Sequence, residues 1–220
     1  MLLSLCSPVL HKTICGGFSE GRAKRLELDD VDAGSFGSLL EVWCGRAGLE
    51  AKGLGDLMAL AGLADRFEMT EVQGGMEDVI IGRLSVGTCA DVLTRSGGLG
   101  LRRVEAAAER MVVERFEEVA GTEGFMGLEE EALRKVLEDE GLGVRSEERA
   151  YEGLVRWMNG GEGGPRGRGL LGTIRFGVMG EEYLSTVAWR LSLHNNRTGL
   201  KCFFRMSHDL GLRERLAGRL

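Results

Sequence analysis

Leu137-Glu138-Asp139-Glu140-Gly141-Leu142-Gly143-Val144-Arg145-Ser146-Glu147 is the stretch whose reading decides the fold. It spells the end of one helix, a tight turn, a short extended piece and the start of a second helix. Upstream, Leu133, Val136 and Leu137 recur at helical spacing and give one apolar stripe. Gly141 and Gly143 should stop that helix, because glycine tolerates the positive φ that a helix end commonly uses. Leu142 and Val144 alternate with glycine and arginine, which predicts one covered and one open side. Ser146 stands where its hydroxyl can accept a hydrogen bond from a free backbone N–H, and Glu147 and Glu148 stand where the helix dipole favours negative charge. Ala150, Leu154, Trp157 and Met158 then share one face. The stretch is an αα-hairpin with a short, specified loop.

Outward from the hairpin, further residues follow in a fixed order. They are Phe116-Glu-Glu-Val119, Gly124-Phe-Met-Gly-Leu128, Val144-Arg-Ser-Glu147, Trp157, Leu170-Leu171, Ile174-Arg-Phe176, Met179 and Tyr183-Leu184. This series resembles the BACK domain, the helical module that follows the BTB/POZ domain in kelch-like proteins. The first half resembles the later part of a BTB/POZ domain. Ser7-Pro8-Val9-Leu10 is similar to its Ser-Pro helix start, and Leu26-Glu-Leu28 with Asp30-Val31 to a strand and turn. Phe36, Leu39, Leu40 and Trp43-Cys-Gly45 are similar to a helix closed by an aromatic-x-Gly block, and Leu57 to Phe67 to the next helix.

The resemblance implies a mainly α chain in four parts. Residues 1–84 form a partial BTB/POZ α/β fold, a short sheet remnant plus helices. Residues 85–117 form a helical extension of 3-box type, 118–190 an all-α BACK bundle, and 191–220 a helical tail. The family's opening strand, first helix and second strand have no counterpart here. That predicts an incomplete sheet with apolar surface near Leu26 to Val31 and puts ordinary BTB homodimerisation in question, unless this chain is a piece of a longer one. No glycine-pair and tryptophan repeat of a propeller blade occurs in the 220 residues.

Composition narrows the function classes. A net charge of −6 argues against nucleic acid or an anionic membrane as the main partner. No window reaches the ~18–20 apolar residues of a membrane span, and the apolar N-terminus lacks the basic start and cleavage pattern of a signal peptide, so residues 2–14 read as a short helix broken at Pro8. Five scattered cysteines without CxxC spacing read as reduced thiols and predict a cytoplasmic or nuclear chain with no metal site. Glycine, 35 of 220 residues, is the anomaly. Gly62, Gly87 and Gly153 fall inside helical patterns, where each costs up to ~1 kcal/mol relative to alanine.

Catalytic signals are thin. His11, His194 and His208 lie in unrelated contexts, no nucleophile or metalloprotease motif occurs, and the runs Glu129 to Glu131 and Glu138 to Glu140 read as solvated helix surface. The Gly/Arg-rich segment 160–169 lacks the Gly-Lys-Ser/Thr ending of a phosphate loop and reads as a helix–helix connection. The chain is therefore expected to be a non-enzyme without cofactor. Its resemblance implies an adaptor of the kind that receives substrates for cullin-3 ubiquitin ligases, linking a cullin-3-type scaffold to a client that the sequence does not name. Phe18-Ser-Glu20 matches the hydrophobic-x-Glu motif that contacts cullin in such domains, and Trp43 stands at an aromatic position able to line the same surface. The structural reading of both is core packing. Trp157, Ile174, Phe176 and Tyr183 read as BACK core, and Arg175 as the partner of a helix-borne carboxylate. The alternatives are a BTB–BACK scaffold without a ligase role, or a degenerate fragment.

Overall fold

A computed structural model describes residues 3–16, 28, 30–160 and 166–193. Its helices are α1 (Leu3–Cys6), α2 (Pro8–Cys15), α3 (Ala33–Trp43), α4 (Leu54–Arg66), α5 (Thr70–Gly82), α6 (Cys89–Ser96), α7 (Arg102–Glu114), α8 (Phe116–Val119), α9 (Glu130–Glu138), α10 (Glu147–Asn159) and α11 (Glu181–Leu193), joined in places by 3-10 turns. Among the described residues there is no strand. Leu26 and Glu27 of the expected sheet remnant lie outside them, and Val31 sits in irregular chain just before α3. The chain divides into two compact units, Met1–Leu84 with Arg95–Ala108, and Ser85–Thr94 with Glu109–Leu220.

The first unit is built on α4 and α5. Leu57, Ala61 and Ala64 on α4 are fully buried, as are Met76 and Ile80 on α5, Leu39 on α3, and Leu101 and Val104 at the start of α7. Asp32 caps α3: its carboxylate accepts the Ser35 N–H at 2.7 Å, and hydrogen bonds from the Ser35 backbone and hydroxyl hold its pKa below the ordinary carboxylate value. Ser7 has two roles that the Ser-Pro pattern alone does not reveal. Its hydroxyl oxygen accepts from Leu10 N at 3.1 Å and caps α2, while its O–H donates to the Phe67 carbonyl at 2.5 Å. That ties the start of α2 to the end of α4 through a buried group. Phe36 packs edge-on against Phe67, with ring centroids 5.3 Å apart. Arg83, just past α5, donates to the carbonyls of Lys52 (2.7 Å) and Glu50 (2.8 Å) and so pins the loop before α4.

The end of α4 is unusual. Glu68 N–H bonds the Asp65 carbonyl at 2.9 Å and Met69 N–H bonds the Ala64 carbonyl at 2.9 Å, the paired bonds of a Schellman ending. Its left-handed residue is Glu68, with φ of 53°, where glycine is the usual occupant. Glu68→Gly is therefore expected to raise thermal stability slightly, by up to ~1 kcal/mol once the entropy of the added glycine is deducted. A urea titration checks this, and a lower midpoint for the variant would contradict it.

The second unit carries the hairpin. Leu133 and Val136 of α9 and Ala150, Tyr151, Leu154 and Trp157 of α10 are buried, together with Ile174, Phe176, Leu170 and Leu171. Tyr183 is only half-buried; its hydroxyl donates to Glu152 at 3.2 Å, and its ring meets Tyr151 edge-on at 6.3 Å. Trp157 donates through Nε1 to the Leu128 carbonyl at 3.0 Å, and the Arg166 guanidinium lies 4.0 Å from its ring centroid. Segment 160–169 is thus anchored at Arg166; residues 161–165 of it lie outside the described residues. Arg175 does pair with a helix-borne carboxylate. Glu147, at the start of α10 and almost fully buried, accepts from Arg175 N at 2.8 Å and stands 3.0 Å from its Nη2.

Several local expectations are corrected. Helix α9 ends in an extended Asp139, and neither Gly141 nor Gly143 has positive φ. Gly143 is needed for another reason: a Cβ there would run into the Glu114 carbonyl at the end of α7. Ser146 occupies the cap position of α10 without accepting a backbone N–H; its hydroxyl lies beside Glu148 and is the first cause that holds that carboxyl below the ordinary carboxylate pKa. Leu142 and Val144 are both half-buried, so the expected alternation of sides is blunted. Gly87 lies in a turn, not a helix, whereas Gly62 and Gly153 are helical. At Gly153 a Cβ would sit 2.7 Å from the Phe116 ring, so this glycine lets α10 approach α8.

Candidate protein-docking site

Trp43 is the last residue of α3, and the chain leaves it through Gly45 in a left-handed conformation (φ 68°). The indole is half-buried and lines a depression of about 270 Å³ on the first unit. Leu5, Cys6, Pro8, Trp43, Met69 and Val72 line it together with Glu68, Thr70 and Glu71, and the last three are exposed. Leu5, on α1, is 75% exposed. An aromatic beside exposed aliphatic side chains in a shallow hollow is the composition of a protein-docking patch. Phe18 and Glu20, the other two predicted contact residues, lie outside the described residues.

The sequence pattern did not single out Leu5 or Met69 for this surface. Met69 reaches the hollow because Glu68 turns the backbone left-handed between α4 and α5, and no residue-type signal announces that turn. Val72 carries helical spacing with Met76 and reads as core, yet it is only half-buried.

A second hollow of about 530 Å³ on the same unit is polar, lined by Asp65, Gln73, Glu77, Arg102 and Arg103 among others. Its charges largely satisfy one another. Arg103 bridges buried Glu77 (3.2 Å) and exposed Asp78 (2.6 Å), and Gln73 donates to Asp65 at 3.2 Å. Among the described residues no group of three or more His, Cys, Asp and Glu could hold a metal ion, and no helix is long and apolar enough to cross a membrane. Burial pushes the Cys6 and Cys89 thiols above the ordinary cysteine pKa, the opposite of what a cysteine nucleophile requires.

Comparison with known families assigns both halves. Residues 1–84 match the BTB/POZ domain, and residues 89–188 match the family described as BTB And C-terminal Kelch, the BACK domain. The chain belongs to the BTB–BACK family. Its relatives are kelch-like proteins. Human Kelch-like protein 30 is 32% identical over 158 residues, which is 71% of this chain and 27% of that protein. Kelch-like protein 41 of Rattus norvegicus is 26% identical over 187 residues, 83% of this chain and 30% of that protein. Human Kelch-like protein 17 is 24% identical over 158 residues, 72% of this chain and 24% of that protein. The BTB–BACK chain thus spans 24–30% of the length of these relatives. The Trp43 hollow lies within the BTB-matching residues.

Proposed function

We propose that the BTB–BACK chain is a protein-interaction adaptor that engages a cullin-3-type ubiquitin-ligase scaffold through its BTB unit while the BACK helices position a client. The observation that carries this reading is the Trp43 hollow: a half-buried indole beside exposed Leu5 and half-buried Val72 on the BTB unit. Such a chain acts by geometry, holding two proteins at a fixed separation, and needs no bond-making residues of its own. Phe18 and Glu20 supply the hydrophobic-x-Glu contact in this reading, and cytoplasm or nucleus is the compartment in which it operates.

Purified cullin-3 N-terminal domain tests it. The parent chain is expected to bind, and Trp43→Ala to weaken binding by about 30-fold, the scale of an aromatic hot spot worth ~2 kcal/mol. Phe18→Ala and Glu20→Ala should each weaken it as well. No binding by a folded parent chain, or binding that all three variants leave intact, removes the cullin assignment; the first of these outcomes favours a scaffold without a ligase role.

A further inference from the structure

We infer that the Trp43 hollow selects a partner segment in which an apolar side chain is flanked by lysine or arginine. This rests on the docking role of the hollow proposed above and adds the chemistry of its occupant. The hollow can take an apolar anchor, since Leu5, Pro8, Trp43, Met69 and Val72 among its lining residues carry no charge. Two of the lining residues, Glu68 and Glu71, are acidic, and among the described residues none that lines the hollow is lysine, arginine or histidine. Both glutamates are exposed, and neither has an ion-pair partner among the described residues. A carboxylate pair beside an apolar hollow favours a cation next to the anchor and repels an anion there.

Glu68 adds a second reason. It occupies the left-handed position that closes α4, with φ of 53°, where a side chain carries a steric penalty that glycine avoids. The chain uses glycine 35 times, three of them at positive φ elsewhere among the described residues, yet a glutamate stands at this one. Strain retained in the lining of a hollow points to a use for the side chain. The left-handed turn also brings Met69 into the lining, so anchor pocket and acidic pair arise from a single backbone feature. The carboxylate gives charge selection, and the turn gives the place for the anchor.

A displayed library of 12-residue peptides, with one fixed central leucine or phenylalanine and random flanks, tests the inference on the full chain. Selection runs against the parent chain with counter-selection on Trp43→Ala. Lysine and arginine are expected to be enriched within three positions of the anchor. The double variant Glu68→Lys/Glu71→Lys should bind the selected peptides ~10-fold more weakly, the sum of two exposed pairs each worth a few-fold, and its own selection should enrich aspartate and glutamate. Circular dichroism confirms that the double variant is folded, as two exposed substitutions should leave it. Flanks with no charge bias, a bias that the double variant fails to reverse, or no Trp43-dependent peptide at all overturns the inference. Because the readout does not use cullin, a failed cullin pull-down with a clear basic bias sinks the ligase reading alone.

Discussion

Trp157→Ala is expected to lower the stability of the BACK unit by about 3–5 kcal/mol, the range for truncating a buried large aromatic. Three losses coincide at this side chain. The indole is 1% exposed, so its removal leaves a cavity beside Gly167 and the turn at Leu170. Its Nε1–H is the donor to the Leu128 carbonyl at 3.0 Å, and leaving that acceptor unpaired inside the protein costs a further ~1–3 kcal/mol within the same total. The Arg166 guanidinium, 4.0 Å from the ring centroid, loses the face it rests on, and with it the anchor of segment 160–169. Thermal denaturation followed by circular dichroism should show a midpoint lower by ~6–20 °C, given ~2–4 °C per kcal/mol for a chain of this size. Trp157→Phe should recover part of the loss by refilling volume without restoring the donor. A midpoint within about 2 °C of the parent for the alanine variant would mean that the ring does not organise this core.

Gly143→Ala, a change of one methyl group, is expected to destabilise the same unit by ~3 kcal/mol, the upper part of the usual range for overpacking. The reason is where the new atom would go. A Cβ at position 143 would overlap the Glu114 carbonyl oxygen and lie 2.6 Å from its carbonyl carbon, with the Val113 carbonyl oxygen at 3.1 Å. All three are backbone atoms at the end of α7, so no side chain can rotate out of the way. The close approach also makes a bond: Gly143 N–H donates to the Val113 carbonyl at 2.8 Å, satisfying one of the acceptors that a helix end leaves open. Arg145 N–H donates to Glu117 at 2.5 Å and reinforces the docking of the loop on α8. Gly141→Ala is the control, since its Cβ would meet only the Asp139 carboxylate at 3.1 Å, a side chain able to move. Urea titration of the two variants should separate them clearly. Equal midpoints would show that the loop shifts freely and that the glycine is not required.

The two glycines were singled out for the wrong property. From residue types alone, Gly141 and Gly143 read as helix stops with positive φ; the extended Asp139 performs that task, and Gly143 is required by contact with a helix end some 30 residues earlier. Similar reasoning applies to Ser146. A serine before two glutamates has the pattern of a helix cap, but here its hydroxyl accepts no backbone N–H and lies beside the Glu148 carboxylate instead. Asp32 had no such competitor and caps α3. Arg175 was legible too, because an arginine between two buried apolar neighbours needs a carboxylate within reach, and Glu147 opens the helix facing it. The docking surface was legible only in part: Trp43 was flagged by its type and position, Leu5 and Met69 were not.

The sequence by itself determined the helical stripes, their order, the hairpin and the buried set around Trp157, because each depends on residues within a few turns of one another. The tertiary structure alone decided that Ser7 ties α2 to α4, that Gly143 meets the end of α7, and that a left-handed glutamate gathers Met69, Trp43 and Leu5 into one hollow. Those outcomes depend on which backbone atoms approach across long separations in the chain. Local apolar spacing tells which face of a helix is covered, but carries no information on what covers it.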